Sequence, residues 1–214
     1  MELIVAACRT LASRPRLRLL RALHVRPGQN VSALAAATGQ HPDAVSNQLK
    51  LLCNYRFARA TPSGRHVFYR PATAEATTNP FLRGLRELVD EALDVKNLIR
   101  TPLKVCESEL TAWDEVFEAL VKLFTTYTHL RRLLLLRQLA RQGVGTAGEL
   151  AERIGMSLAA AYRHLDKLQR RGVVHGDGLD PVQWRVVACK GAACQQKLLA
   201  LVLREFKAHR IGID

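Results

Sequence analysis

The sequence predicts a mainly α-helical chain with small β-wings: two winged helix-turn-helix units in succession, packed through long helices as an internal pseudo-dimer. Three observations carry this reading. The stretch "DAVSNQLKLL" at 43–52 sets Val45, Leu49 and Leu52 on one side of a helix and Asp43, Ser46, Asn47 and Lys50 on another. A counterpart, "AAAYRHLDKL" at 159–168, carries Ala161, Leu165 and Leu168 exactly 116 residues later. Each of these helices is followed by two β-prone runs around turn residues, the pattern of a hairpin. The same offset, without gaps, lays "LLRAL" at 19–23 on "LLRQL" at 135–139, Leu34-Ala35 on Leu150-Ala151, and Gly39 on Gly155. A period that long marks a duplicated unit.

Taken in order, residues 2–12 put Leu3, Ile4, Ala7, Cys8 and Leu11 on one helical face, and Ser13 is placed to cap a second helix from Arg14 to His24. "RPGQN" stops that helix. Ser32 is expected to cap "ALAAATG", which Gly39 ends, and the 43–52 helix follows after a tight turn, giving a helix-turn-helix. In "RFARATPSGRHVFYRP" two β-prone runs, 56–61 and 66–70, flank Pro62-Ser63-Gly64. Asn79-Pro80 opens a helix over 80–100, and Thr101-Pro102 breaks it. A further long helix from Ser108 carries Leu110, Trp113, Phe117, Leu120 and Phe124 at steps of three and four. It is matched by Phe81, Leu85, Leu88, Ala92, Val95 and Ile99, so the two stripes suit a core or a subunit interface. The second unit closes with "VVHGDGLDPVQWRVV" and "CQQKLLALVLREFKAH", which places the domains at 1–100 and 101–214.

Charge narrows the partners. The chain has 32 Lys and Arg against 19 Asp and Glu, a formal net charge of +13. Residues 1–70 hold eleven of the basic residues and two acids, Glu2 and Asp43, so the excess is localised. Localised positive charge favours a polyanion over a merely solubilising surface. The five cysteines are an odd number in a chain too large to need disulfide staples, and the N-terminus does not read as a secretory leader, which points to the cytoplasm. No apolar run approaches the roughly 20 residues of a membrane span.

"LASRPRLRLLRAL", "VSALAAATGQHPDAVSNQLKLL" and the wing ending in "VFYRP" resemble the ArsR/SmtB class of winged-helix transcriptional regulators over roughly residues 8–100. "HLRRLLLLRQL…GELAERIGMSLAAAYRHLDKLQRRGVV" resembles the same class or a close winged-helix relative, more weakly. The resemblance implies a dimer held by first and last helices, a recognition helix in the major groove, and often a metal or redox switch. Such chains usually carry one unit. The duplicated unit here allows the dimer-like arrangement within one chain, and the apolar stripes leave room for a further homodimer.

A recognition helix needs a buried stripe to seat it and a polar one to meet bases and phosphates. Asn47 and Gln48 have the amide geometry for adenine, Ser46 can donate to a phosphate or base, and Lys50 can approach guanine or the backbone. His41 stands where the helix begins, and the first wing adds Arg59, Arg65, His66 and Arg70. The second unit offers Ser157, Tyr162, Arg163 and His164, then Lys167, Arg170 and Arg171, with Arg185 on its wing. Its wing tip carries Asp177 and Asp180, which repel phosphate, so the first unit is expected to dominate affinity. Because the two faces differ, they should read unlike half-sites of a non-palindromic operator.

The remaining chemistry is sparse. Cys8 and Cys53 extend apolar stripes and read as buried small residues. Cys189 and Cys194, beside Lys190 and a helix start, are a possible thiol switch. No metal-ligand cluster stands out, no cofactor is implied, and no nucleophile, phosphate loop or carboxylate pair suggests an enzyme. The expected function is a sequence-specific double-stranded DNA-binding transcriptional regulator, a repressor that occupies its promoter. The rival is a winged-helix protein-protein assembly module.

Overall fold

The computed structural model describes residues 1–73, 77–94, 109–187 and 193–208. These are mainly helical, with two small antiparallel sheets. They group into two compact units, Arg9–Lys122 and Met1–Cys8 with Leu123–Asp214. The units therefore do not coincide with the 1–100 and 101–214 halves expected from the repeat. The first helix, α1 (Glu2–Leu11), begins in the unit that otherwise starts at Leu123, and most of the helix beginning at Glu109 belongs to the other.

In the Arg9–Lys122 unit, α2 (Arg14–Val25), α3 (Val31–Thr38) and α4 (Pro42–Asn54) form the helical core. Leu17, Leu19, Leu20 and Leu23 of α2 are buried with Leu34 and with Val45, Leu49 and Leu52. Asn30, not Ser32, caps α3: its Oδ1 accepts the Ala33 N–H at 2.9 Å. The reason is register, since Ser32 already lies in the first helical turn. Gly39 ends α3 in the left-handed conformation, where a Cβ would be strained.

Strands β1 (Ala58–Ser63) and β2 (His66–Pro71) pair antiparallel from Ala58↔Pro71 to Ser63↔His66. The turn is Gly64-Arg65, one step beyond the Pro62-Ser63-Gly64 expected from sequence, because the strand runs through Pro62. The segment after α2 joins the hairpin at a single bridge, Gln29↔Tyr69. Helix α5 (Pro80–Leu93) starts as expected, with Asn79 Oδ1 accepting the Leu82 N–H at 3.0 Å. Val95 and Ile99 of its expected continuation lie outside the described residues.

Helix α6 (Glu109–Thr125) buries Val116, Phe117 and Leu120, and its charged side meets α2. Arg14 pairs with Glu118 and Arg18 with Asp114, each at 2.9 Å, while the Arg21 guanidinium lies 4.2 Å from the Trp113 ring centroid. Exposed pairs of this kind contribute little to stability, because water and salt screen them. They also engage internally part of the basic excess counted in the first 70 residues.

In the other unit, α7 (Leu130–Gln142), β3 (Val144–Thr146), α8 (Ala147–Ile154) and α9 (Leu158–Arg170) precede β4 (Val174–Gly176), β5 (Gln183–Val186) and α10 (Ala193–Ala208). Thr146 and Glu149 form a capping box, Oγ1 accepting the Glu149 N–H at 3.2 Å and Oε2 accepting the Thr146 N–H at 2.9 Å. The sheet order is β3-β5-β4. The sequence reading placed no strand at β3, which pairs antiparallel with β5 with Gly145 opposite Trp184. The wing bends around Asp177, whose Oδ1 accepts the N–H groups of Leu179 at 3.1 Å and Gln183 at 3.0 Å.

Candidate nucleic-acid interface

In the first unit α4 is the second helix of the helix-turn-helix. Its stripe of Val45, Leu49 and Leu52 is wholly buried, which turns Asp43, Asn47, Lys50 and Leu51 outward. His41 is exposed at the N-cap, with Nδ1 accepting the Asp43 N–H at 3.4 Å. Ser46 lies half-buried on the flank. Gln48 departs from the expected outward amide pair: it is half-buried, and its Oε1 is buried without a hydrogen-bond partner. Its position beside Leu49, three residues after Val45, turns it toward the apolar side.

The first wing presents Arg59, Arg65, His66 and Arg70, all exposed. Arg59 and Arg70 are direct cross-strand partners, so their side chains share one face of the hairpin. His66 lies on that face too, its ring edge-on to Phe68 at 6.3 Å. Like charges set directly opposite one another destabilise a hairpin until a counter-charge arrives.

In the second unit α9 holds the equivalent place. Ala161, Leu165 and Leu168 are buried, and Ser157 caps the helix, its Oγ accepting the Ala160 N–H at 3.3 Å. Tyr162, Arg163, Lys167 and Arg170 are exposed, whereas His164 and Arg171 are half-buried. Arg170 pairs with Asp166 one turn back, Nε to Oδ1 at 3.1 Å, which reduces its availability to an outside partner. Arg185 is exposed on β5, within the field of Asp177.

Two basic residues that sequence reading did not single out, His129 and Arg132, interact with residues of this helix. His129, at the N-cap of α7, meets His164 with ring centroids 4.6 Å apart and planes tilted by 51°. Burial, then His129, Arg132, Arg163 and Arg131, lower the His164 pKa to about 4, so its imidazole is neutral at neutral pH. Arg132 is 5 % exposed; its Nη1 donates to the carbonyl oxygens of Thr125 at 2.9 Å and Thr126 at 2.8 Å, and its Nε has no partner. The Arg132 charge, burial, and then Arg171 and Arg170 depress the Lys167 pKa. The basic doublet in "THLRRLL" at 128–134 was the available signal for this cluster.

The thiols are less informative. Cys8 is buried and Cys53 half-buried, and burial pushes both thiols above their ordinary range, the mark of inert packing residues. Cys194 is half-buried in the first turn of α10, while Cys189 lies outside the described residues. Among the described residues no three His, Cys, Asp or Glu side chains gather as a metal site. No described helix is long and apolar enough to cross a membrane.

Comparison with curated proteins and with solved structures gives no match. The family models give one: residues 127–177, from the end of α6 to β4, match a helix-turn-helix domain. It falls on the second unit, whose sequence resemblance to winged-helix regulators is the weaker, and includes both α8 and α9.

Proposed function

We propose that the chain is a sequence-specific double-stranded DNA-binding transcriptional regulator of the ArsR/SmtB type, acting as a repressor without catalytic activity. The observation that carries this reading is the crowding of like charges beside each outward helix. Arg59 stands opposite Arg70 on the hairpin after α4, and Arg132, Lys167 and Arg171 share one field at α9. Cations held against one another cost free energy in the free protein, and a row of phosphates offsets that cost. The helix-turn-helix match over 127–177 supports the same partner.

In this reading the chain carries two winged helix-turn-helix units in tandem. The shared left-handed glycines Gly39 and Gly155 support the duplication, as do the positive φ at Arg56 and, 116 residues on, at Gly172. The third wing strand supports it as well, a single bridge at Gln29 in one unit and β3 in the other. An internal pseudo-dimer is favoured by the chain path, which leaves each unit with a segment from the far half of the sequence. Asn47, Lys50 and the first wing read one half-site, and Tyr162, Arg163 and Lys167 another, about 10 base pairs away.

Selection of bound fragments from randomised duplexes, with the mass of the complex measured alongside, tests the proposal. A non-palindromic site bound by one chain is the expected result. A recovered pool no different from the input overturns it, and so does a site that is a perfect palindrome.

A further inference from the structure

The outward faces of α4 and α9 are chemically unlike, and the difference is sharpest over the first turn and a half. On α4 those positions are Pro42, Asp43, Ser46 and Asn47. On α9 the residues 116 later are Leu158, Ala159, Tyr162 and Arg163. Leu158 is 51 % exposed and Tyr162 43 % exposed, and Ala159 between them is exposed as well. Leu158 and Ala159 lie four and three residues before Tyr162, the two spacings at which side chains meet on a helix surface, so the three make a contiguous apolar patch around Tyr162. Ala160 and Ala161 point the other way and are buried.

Leaving a leucine and a tyrosine in water on the leading turn of a helix is unfavourable unless something covers them. The surroundings say what. Arg163, one turn on from Ala159, and Lys167 beyond it carry positive charge along the same helix, and the one acid there, Asp166, is already paired with Arg170. An apolar patch followed by cations along its helix matches a groove floored by bases and edged by phosphates. In the major groove the apolar feature of a base edge is the C5-methyl group of thymine. Neither Leu158 nor Ala159 can read a donor or acceptor, whereas both can cover a methyl. The leading residues of the second helix are also the ones that reach base edges.

We propose that α9 selects its half-site by apolar contact of Leu158, Ala159 and Tyr162 with thymine methyl groups, whereas α4 selects by hydrogen bonds. This rests on the DNA-binding reading above. It assigns a base chemistry to the second unit and a different one to the first, so an operator should hold adjacent thymines in one half-site only. A 5-methylcytosine carries the same methyl, and the test separates the two sources.

The probe is the duplex recovered by the full chain from a randomised library, labelled with fluorescein, and the same duplex with each thymine in turn replaced by deoxyuridine. That exchange removes the methyl and leaves base pairing intact. Burying one methyl-sized group stabilises by about 0.8 kcal/mol, so each contacted thymine should lose about fourfold in affinity. In the exposed-site variant L158Q/Y162Q the thymine and deoxyuridine duplexes should bind alike. Methylating cytosines at C5 outside those positions should change nothing.

Equal binding of the two duplexes by the native chain, in the face of tight DNA binding, overturns the inference while leaving the DNA-binding reading intact. Loss of affinity that L158Q/Y162Q does not abolish assigns the methyl contact elsewhere and overturns it too. If L158Q/Y162Q instead breaks an oligomer in the absence of DNA, the patch is covered by a second copy. If only 5-methylcytosine raises affinity, thymine is the wrong source. No recovered duplex at all removes both readings together.

Discussion

Arg59→Ala offers an unusual combination: it should weaken DNA binding while leaving the protein as stable or slightly more so. The substitution removes one of two arginines at directly opposed positions of β1 and β2. Relief of a cross-strand like-charge pair is worth roughly 0.2–1 kcal/mol. On the DNA side, Lys50, Arg59, Arg65, Arg70, Arg163 and Lys167 are exposed and form no ion pair among the described residues. If these meet about six phosphates, the log-log salt slope is near −5.4, and raising salt from about 50 to about 200 mM costs roughly a thousandfold in affinity. Arg59→Ala should bring that slope to about −4.5, since one neutralised phosphate accounts for about 0.9. Fluorescence anisotropy of a labelled duplex at four salt concentrations gives both slopes, and thermal unfolding gives the stability. A slope that Arg59→Ala leaves unchanged, or a clear loss of stability, refutes the argument that the pair's mutual repulsion is offset by a phosphate.

Other outcomes follow from single contacts. His24 Nδ1 lies 2.8 Å from the Leu20 carbonyl oxygen and Nε2 lies 2.9 Å from Asp90 Oδ1, so only the doubly protonated ring satisfies both acceptors. Burial lowers its pKa, but the Asp90 carboxylate and the Leu20 carbonyl outweigh it and the net direction is up. The contribution to stability is therefore full below the unfolded value and lost as pH rises through the folded one; Asp90→Asn should flatten that fall in melting temperature. His164 works in the opposite sense, because its folded pKa is lowered to about 4. Stability should drop as pH falls from about 6.5 toward that value, and His164→Gln should flatten that drop. Arg56 holds φ at +58°, where an L side chain is strained, so Arg56→Gly should raise the denaturation midpoint by about 1 kcal/mol of stability. Finally, Arg65→Ala should cost more DNA affinity than Arg185→Ala, because Asp177 already lies in the field of Arg185.

The apolar periodicities were legible because burial dictates them: Val45, Leu49 and Leu52 and their counterparts could sit in no other register. Local chemistry with a strong preference was also readable, as at Asn79-Pro80 and Gly39. Features set by tertiary partners were not. The three-residue β3 strand is defined by its pairing with β5, about forty residues on, and Asn30 outcompetes Ser32 for the cap by where the helix starts. At the candidate interface, exposure of Asn47, Lys50 and the wing arginines was implied by the stripe opposite them. The inward turn of Gln48 was not, because a flank residue's direction depends on its neighbours. The half-burial of His164 against His129 joins residues 35 apart in sequence, and the Arg132 cluster depends on the carbonyl groups that end α6.

The unit made of Met1–Cys8 and Leu123–Asp214 has a consequence for biosynthesis. Ile4, Ala7 and Cys8 are translated well before the rest of their unit, which begins at Leu123. At about 5–20 residues per second, the intervening stretch takes on the order of ten seconds to translate. Through that interval the first helix is a greasy, unclaimed segment exposed to chaperones and to other nascent chains. Deleting residues 1–8 should therefore harm the unit they share with residues 123–214, a stretch far from them along the polypeptide.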